Sequence, residues 1–224
     1  MLRFRLFGIP FGIGFGFWIG SALLGGGVAQ GADASTNLLI WIVCVLVSIT
    51  VHELGHALAA RHFGADPEIE LHAFGGFTRM PGRMLSRPED FCVTLAGPAA
   101  GFGLYLLTVL VRHWPGLMVG LATSDGVAAS AALKALGHLW WINLVWTLFN
   151  LLPILPLDGG RLLSALLGPR RVQTTQTVGV FFAASLAVLA AMSQQLFMAL
   201  FLGYLAFVNF RGDPRAVPGG VGRP

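Results

Sequence analysis

Charge is what this chain has least of. Asp, Glu, Lys and Arg make up 11% of its 224 residues, where an ordinary globular domain carries roughly a quarter. A soluble sphere of this length needs more polar surface than that to meet water, so a soluble globule is excluded. Disorder is excluded by the opposite excess, since 55% of the chain is apolar and it holds 17 Phe and 6 Trp. Cysteine is nearly absent. Cys44 and Cys92 are too few for a disulfide scaffold, and both sit in apolar stretches, where a free thiol packs as a small hydrophobe. Lysine occurs once, as Lys134, and the arginines are scattered singly or in pairs instead of lining one face. Nucleic acid is therefore not an expected partner despite a net charge of +4. No repeat is visible, and the one biased segment is a Pro/Gly-rich stretch at 213–224, read as a mobile cytoplasmic tail.

What remains is a series of apolar blocks of the length a bilayer requires. The first runs from Phe7 to Val28, uncharged but rich in glycine, and reads as a loose spanning helix. No signal-peptide cleavage pattern follows it, so it counts as structure. The second starts at Leu38 and ends near His62, the third covers Phe91 to Val111, and the fourth Leu136 to Leu152, closed by Pro153 and Pro156. The last, Val178 to Phe210, is too long for one crossing and is divided by Ser193-Gln194-Gln195. These blocks predict an all-α polytopic membrane protein with about six transmembrane helices, a single transmembrane domain over 1–212. With a cytoplasmic N-terminus, 12 of the 14 Lys and Arg fall inside and only Arg112 and Lys134 outside. Both termini are then cytoplasmic, in the membrane of a cell whose Arg, Gly, Ala and Pro usage suggests a GC-rich prokaryote.

Ionisable groups in a spanning helix are costly and mark function, and the second block holds three within five residues: His52, Glu53 and His56. Positions i and i+4 lie on one helix face, so both imidazoles can ligate one metal. Glu53, about 100° round the helix, stands beside that line and is placed to act as general base on a water whose pKa Zn²⁺ lowers to about 7. A solvated-face reading, common for HExxH in soluble helices, has no such face to use inside a membrane. A catalytic zinc needs a third protein ligand. Every other acid falls in a connecting segment or the tail except Asp158, which sits at the cytoplasmic end of a span after two prolines. Irregular backbone at that depth must line a cavity, which puts Asp158 in reach of a metal. The alternative for Asp158 is an N-cap on the short helical pattern that follows through Leu167.

The His52-Glu-Leu-Gly-His56 and Asn150-Leu-Leu-Pro-Ile-Leu-Pro-Leu-Asp-Gly-Gly160 segments, in that order and roughly 100 residues apart, resemble the site-2 protease family of intramembrane zinc metalloproteases. The resemblance covers about 38–167. Leu95-Ala-Gly-Pro-Ala-Ala-Gly101 is similar to that family's Gly-Pro segment, with Gly101 where many members carry Asn. The resemblance implies that His52, His56 and Asp158 ligate one Zn²⁺, that Glu53 is the base, and that Asn150 faces the substrate. It also implies that the stretch Leu71 to Thr78, which reads as two extended pieces around Gly75-Gly76, is a small β-hairpin near the active site that holds the substrate extended. The alternative for that stretch is a plain connecting turn. His72 lacks a partner at helical spacing and is not expected to be a ligand. Cys44 and Ser48, two turns and one turn before His52, continue its line and could line a cleft but read first as packing, and Trp140, Trp141 and Trp146 as an interfacial or packing surface.

The expected function is cleavage of a peptide bond in or next to a transmembrane helix of a membrane-protein substrate. The lipid bilayer is the solvent, and any regulation comes from a membrane partner, since PDZ or CBS modules have no room here. Two other readings stay open at this point: a membrane metal transporter built on the same His and Asp residues, and a catalytically silent protein that holds transmembrane helices.

Overall fold

The computed structural model describes residues 1–212 apart from 27, 29, 30, 32, 74 and 125; the expected tail at 213–224 lies outside the described residues. The chain divides into two compact units, one of Met1–Arg83 with Ala99–Thr147 and one of Met84–Pro98 with Leu148–Pro224.

The first unit opens with two strands where a spanning helix was expected. β1 (Leu2–Leu6) and β2 (Ile9–Ile13) pair antiparallel, from Leu2↔Ile13 to Leu6↔Ile9. Pro10, Gly12 and Gly14 deny the segment a helix, while Ile9, Phe11 and Ile13 alternate onto one buried face. The helix that follows, α1 (Phe15–Leu24), is 10 residues long, about 15 Å and half of a hydrocarbon core. α2 (Ala34–His62) has 29 residues and carries the HELGH sequence near its C-terminal end. β3 (Glu68–His72) then pairs parallel with β2, through Phe11↔Ile69 and Ile13↔Leu71. β4 (Gly75–Arg79) returns antiparallel to β3, from Glu68↔Arg79 to His72↔Gly75. The expected hairpin is therefore the second half of a four-stranded sheet of order β1-β2-β3-β4, with β4 at its edge. Gly75 and Gly76 open the fourth strand and do not form the turn.

The buried face of β2 and β3 packs on Phe17 of α1 and on Trp41, Val45, Ile49 and Ala57 of α2, the core of this unit. α3 (Arg87–Arg112) begins in the second unit and ends in the first, and is followed by the short α4 (Pro115–Ala122) and by α5 (Val127–Asn150). α2 and α5 are joined by polar bonds that an apolar surround strengthens. Asn143 Nδ2 donates to Ser48 Oγ at 3.0 Å, Lys134 Nζ to Asn37 Oδ1 at 2.8 Å, and Cys44 Sγ meets the Ala135 carbonyl at 3.7 Å. Cys44 and Ser48 thus take the packing role preferred for them over lining a cleft.

The second unit contains α6 (Asp158–Leu167), a 3-10 turn at Pro169–Arg171, α7 (Val172–Met192) and α8 (Leu196–Arg211). Its core is Ile154, Ala183 and Leu205. Ser193 ends α7 and Gln195 starts α8, so the division of the last apolar block falls where the sequence put it.

The protein is mainly helical with a small sheet, but the described residues do not bear out six spans. Three segments are long and apolar enough to cross a membrane: Ala34–His62, Arg87–Arg112 and Pro169–Met192. α1 and α8 are shorter apolar helices.

Candidate active site

α2 stays helical up to His52 because no Gly or Pro interrupts it from Ala34 onward, and the buried stripe of Trp41, Cys44, Val45, Ser48 and Ile49 anchors the histidine face. His52, Glu53 and His56 are 3%, 5% and 5% exposed. His52 Nε2 and His56 Nε2 lie 3.2 Å apart, with the rings edge-on at 81°. Two buried imidazole nitrogens that close can be joined by one proton or one cation. Two convergent nitrogen donors fit a borderline-soft metal such as Zn²⁺.

Strand β4 seats Glu53. Thr78 Oγ1 donates to Glu53 Oε2 at 2.7 Å, and the same hydroxyl lies 3.4 Å from the Glu53 carbonyl. Gly76, two residues earlier and therefore on the same strand face, lies under the carboxylate: a Cβ there would fall 2.5 Å from Oε1. Phe77 points the other way and is exposed. Gly75 has φ +131°, a conformation open to glycine, and its α-carbon faces the Trp146 ring, which a Cβ would approach to 3.1 Å. His72 ends β3 on the exposed side.

Gly101 explains itself by its neighbours. A Cβ at this position would meet Thr147 Oγ1 at 2.9 Å and His52 Nδ1 at 3.8 Å. The space that a larger residue would fill is taken by the buried Thr147 hydroxyl of α5.

In the second unit Asp158 is buried and is the first residue of α6. The N-cap is Leu157, so the capping alternative for Asp158 does not describe this helix. An acid at the first turn also suits the positive end of the helix dipole. Gly159 and Gly160 lie against the Leu151, Leu152 and Ile154 backbone so closely that neither position admits a side chain. The broken stretch before Asp158 is held by Asn209 of α8, whose Oδ1 accepts from Leu155 N–H at 3.2 Å and whose Nδ2 donates to Leu155 O at 2.6 Å. The far end of α6 is held by Arg87, whose guanidinium donates to the Ala165 and Leu166 carbonyls at 2.7 and 3.0 Å. Asn150 is the last residue of α5, partly buried.

His52, Glu53, His56 and Gly76 are thus brought together in one unit with Thr78, while Asp158 and Asn150 belong to the other. Sequence reasoning passed over Thr78, Thr147 and Asn209. Thr78 alone had a signal, its period-2 spacing from Gly76.

A buried pair of imidazoles with a carboxylate between them on an apolar helix defines a metal-binding membrane protein of the HExxH type. The chain belongs to Peptidase family M50, whose description matches residues 40–117 and 113–192. It is 36% identical over 138 residues to the "Putative zinc metalloprotease Rip3" of Mycobacterium tuberculosis, covering 57% of this chain and 31% of that protein. It is 27% identical over 171 residues to the "Zinc metalloprotease MJ0392" of Methanocaldococcus jannaschii, covering 75% of this chain and 45% of the relative. The chain therefore spans about a third of the length of the first of these relatives. Its fold is similar to that of the solved Site-2 Protease from Methanocaldococcus jannaschii, with a TM-score of 0.57 at 24% identity over 94% of both chains.

Proposed function

We propose that this chain is a zinc endopeptidase that hydrolyses a peptide bond in or next to a transmembrane helix of a membrane-protein substrate. The observation that carries the reading is the 3.2 Å approach of His52 and His56 Nε2 with the Glu53 carboxylate oriented beside them by Thr78. Asp158, the third ligand that the motif order implies, supplies the remaining donor from the first turn of α6, where it is buried. Zn²⁺, when bound, would polarise the scissile carbonyl and acidify the attacking water. The protein's own part is acid–base work. Glu53 Oε1 takes a proton from the water as its oxygen bonds to the carbonyl carbon, and returns that proton to the amide nitrogen as the C–N bond breaks.

The edge of β4 can take an extended peptide as a fifth strand, which frees the scissile bond from the hydrogen bonds of a substrate helix. Asn150 at the end of α5 faces that peptide. The site lies towards the cytoplasm, with 12 of 14 Lys and Arg on that side. Six crossings require the short α1 and α8 to traverse together with α2, α3, α5 and α7. A metal transporter is disfavoured because Glu53, which need not ligate, is buried and oriented beside the histidines. The test is cleavage in proteoliposomes: chelator-treated protein loses turnover of a transmembrane substrate and one equivalent of Zn²⁺ restores it. Turnover indifferent to zinc would remove the proposal.

A further inference from the structure

We propose that Thr78 is the positioning residue of the general base, and that β4 is thereby a working part of the catalytic apparatus; the inference rests on the peptidase reading above. A buried carboxylate needs donors, and an O–H donor to an ionised oxygen at 2.7 Å is in the range of strong, charge-assisted bonds. The Thr78 hydroxyl has a single proton to give. Of its two acceptors, Glu53 Oε2 at 2.7 Å outcompetes the Glu53 carbonyl at 3.4 Å.

The consequence is a division of labour between the two carboxylate oxygens. Oε2 is occupied by Thr78, so its lone pairs are partly withdrawn and its rotation is stopped. Oε1 lies over Gly76, where the absence of a Cβ leaves room for the carboxylate, and it is the oxygen left to exchange a proton with water. Gly76 and Thr78 reach Glu53 from one face of one strand, and β3 holds that strand through Leu71↔Gly76 and Ile69↔Thr78. A shift of β4 along or away from β3 therefore moves the donor off the base. The same alternation sends Phe77 outward, so the strand can carry a peptide at its open edge while its inner face fixes Glu53.

The experiment compares Thr78→Val, Thr78→Ala and Thr78→Ser in the full chain, reconstituted with a transmembrane substrate. Thr78→Val keeps shape and strand preference but removes the donor. It is expected to lower kcat by about 10–100-fold, a part of the ~10²–10⁴-fold that a positioned acid–base group contributes. KM and zinc stoichiometry should stay within error, the unfolding midpoint should fall as a buried carboxylate loses its donor, and Thr78→Ser should restore the midpoint and return kcat to within about 3-fold of wild type. Thr78→Ala, which also lacks the donor, should match Val and guards against a misfolded Val variant. A second readout needs no turnover. The Glu53 carboxylate band, assigned by infrared subtraction of Glu53→Gln, should shift in Val and Ala and return in Ser. A band that does not move in Val or Ala overturns the proposal, as does a kcat equal to wild type in either. So does a Ser variant as slow as Val, or a loss confined to KM. If wild-type protein binds zinc but cleaves nothing, the peptidase reading fails, while the infrared series still decides whether Thr78 holds Glu53.

Discussion

His56 Nε2 stands 3.2 Å from His52 Nε2 inside a helix otherwise fit for lipid. That proximity is a repulsion for two protonated rings and an invitation for one metal ion. Removing either imidazole should therefore lower zinc affinity by more than the ~10–100-fold typical of supporting residues around a metal. Asp158→Ala should do likewise, whereas Glu53→Gln and His72→Ala should keep about one zinc per chain. Competition with a chromophoric chelator measures all five variants on one scale. A His72 variant that loses zinc while Asp158→Ala keeps it would replace the third ligand.

Asn209 has a different task. Its amide pairs with both the N–H and the C=O of Leu155, and Gly179 of α7 makes room for it, since any Cβ there would strike Asn209 Oδ1. Asn209→Leu leaves two buried backbone groups unsatisfied at about 1–3 kcal/mol each. Thermal unfolding in detergent should show a loss on the order of 2–5 kcal/mol. Asn209→Asp, which keeps the shape and one acceptor but sets a buried carboxylate oxygen against the Leu155 and Leu205 carbonyls, should lose at least as much as Leu does.

The parts of this molecule that could be read in advance are those where one residue type has one physical use. Two histidines four apart beside a glutamate, in a run otherwise fit for lipid, have little use except to hold a metal, and Pro153 and Pro156 had to end a helix. The N-terminal sheet was hidden because Ile9-Pro10-Phe11-Gly12-Ile13 is as apolar as a membrane span and only the alternation of Ile9, Phe11 and Ile13 marks it as a strand. Composition over Phe7 to Val28 outweighed that alternation. Asn209 and Thr147 were not legible at all: each is a polar residue whose partner is a backbone or a glycine tens of residues away, and no local spacing announces such a pair.

Sidedness can be tested without any activity. Reporters fused after Arg87 and after Arg171 should read cytoplasmic, and one near Asp125 external. An external signal at Arg87 would place the arginine-rich loops on the wrong side and undo the charge argument.

Substrate helicity should set the rate if β4 takes an extended peptide. Gly costs a helix interior about 1 kcal/mol relative to Ala, so helix-weakening residues near the cut should speed cleavage about 5-fold, and Leu or Ala should slow it. Phe77→Pro, which removes a backbone donor from the β3–β4 ladder at the Glu70↔Phe77 pair, should impair cleavage with zinc occupancy unchanged. Rates blind to helicity together with a fully active Phe77→Pro variant would reduce the hairpin to a connection.

The most direct measurement is mass-spectrometric mapping of products from a transmembrane substrate incubated in proteoliposomes with wild-type protein and with Glu53→Gln, both carrying one zinc. The account predicts a new C-terminus in or beside the substrate helix from the wild type and none from Glu53→Gln. The same product from both proteins at comparable rates would contradict it.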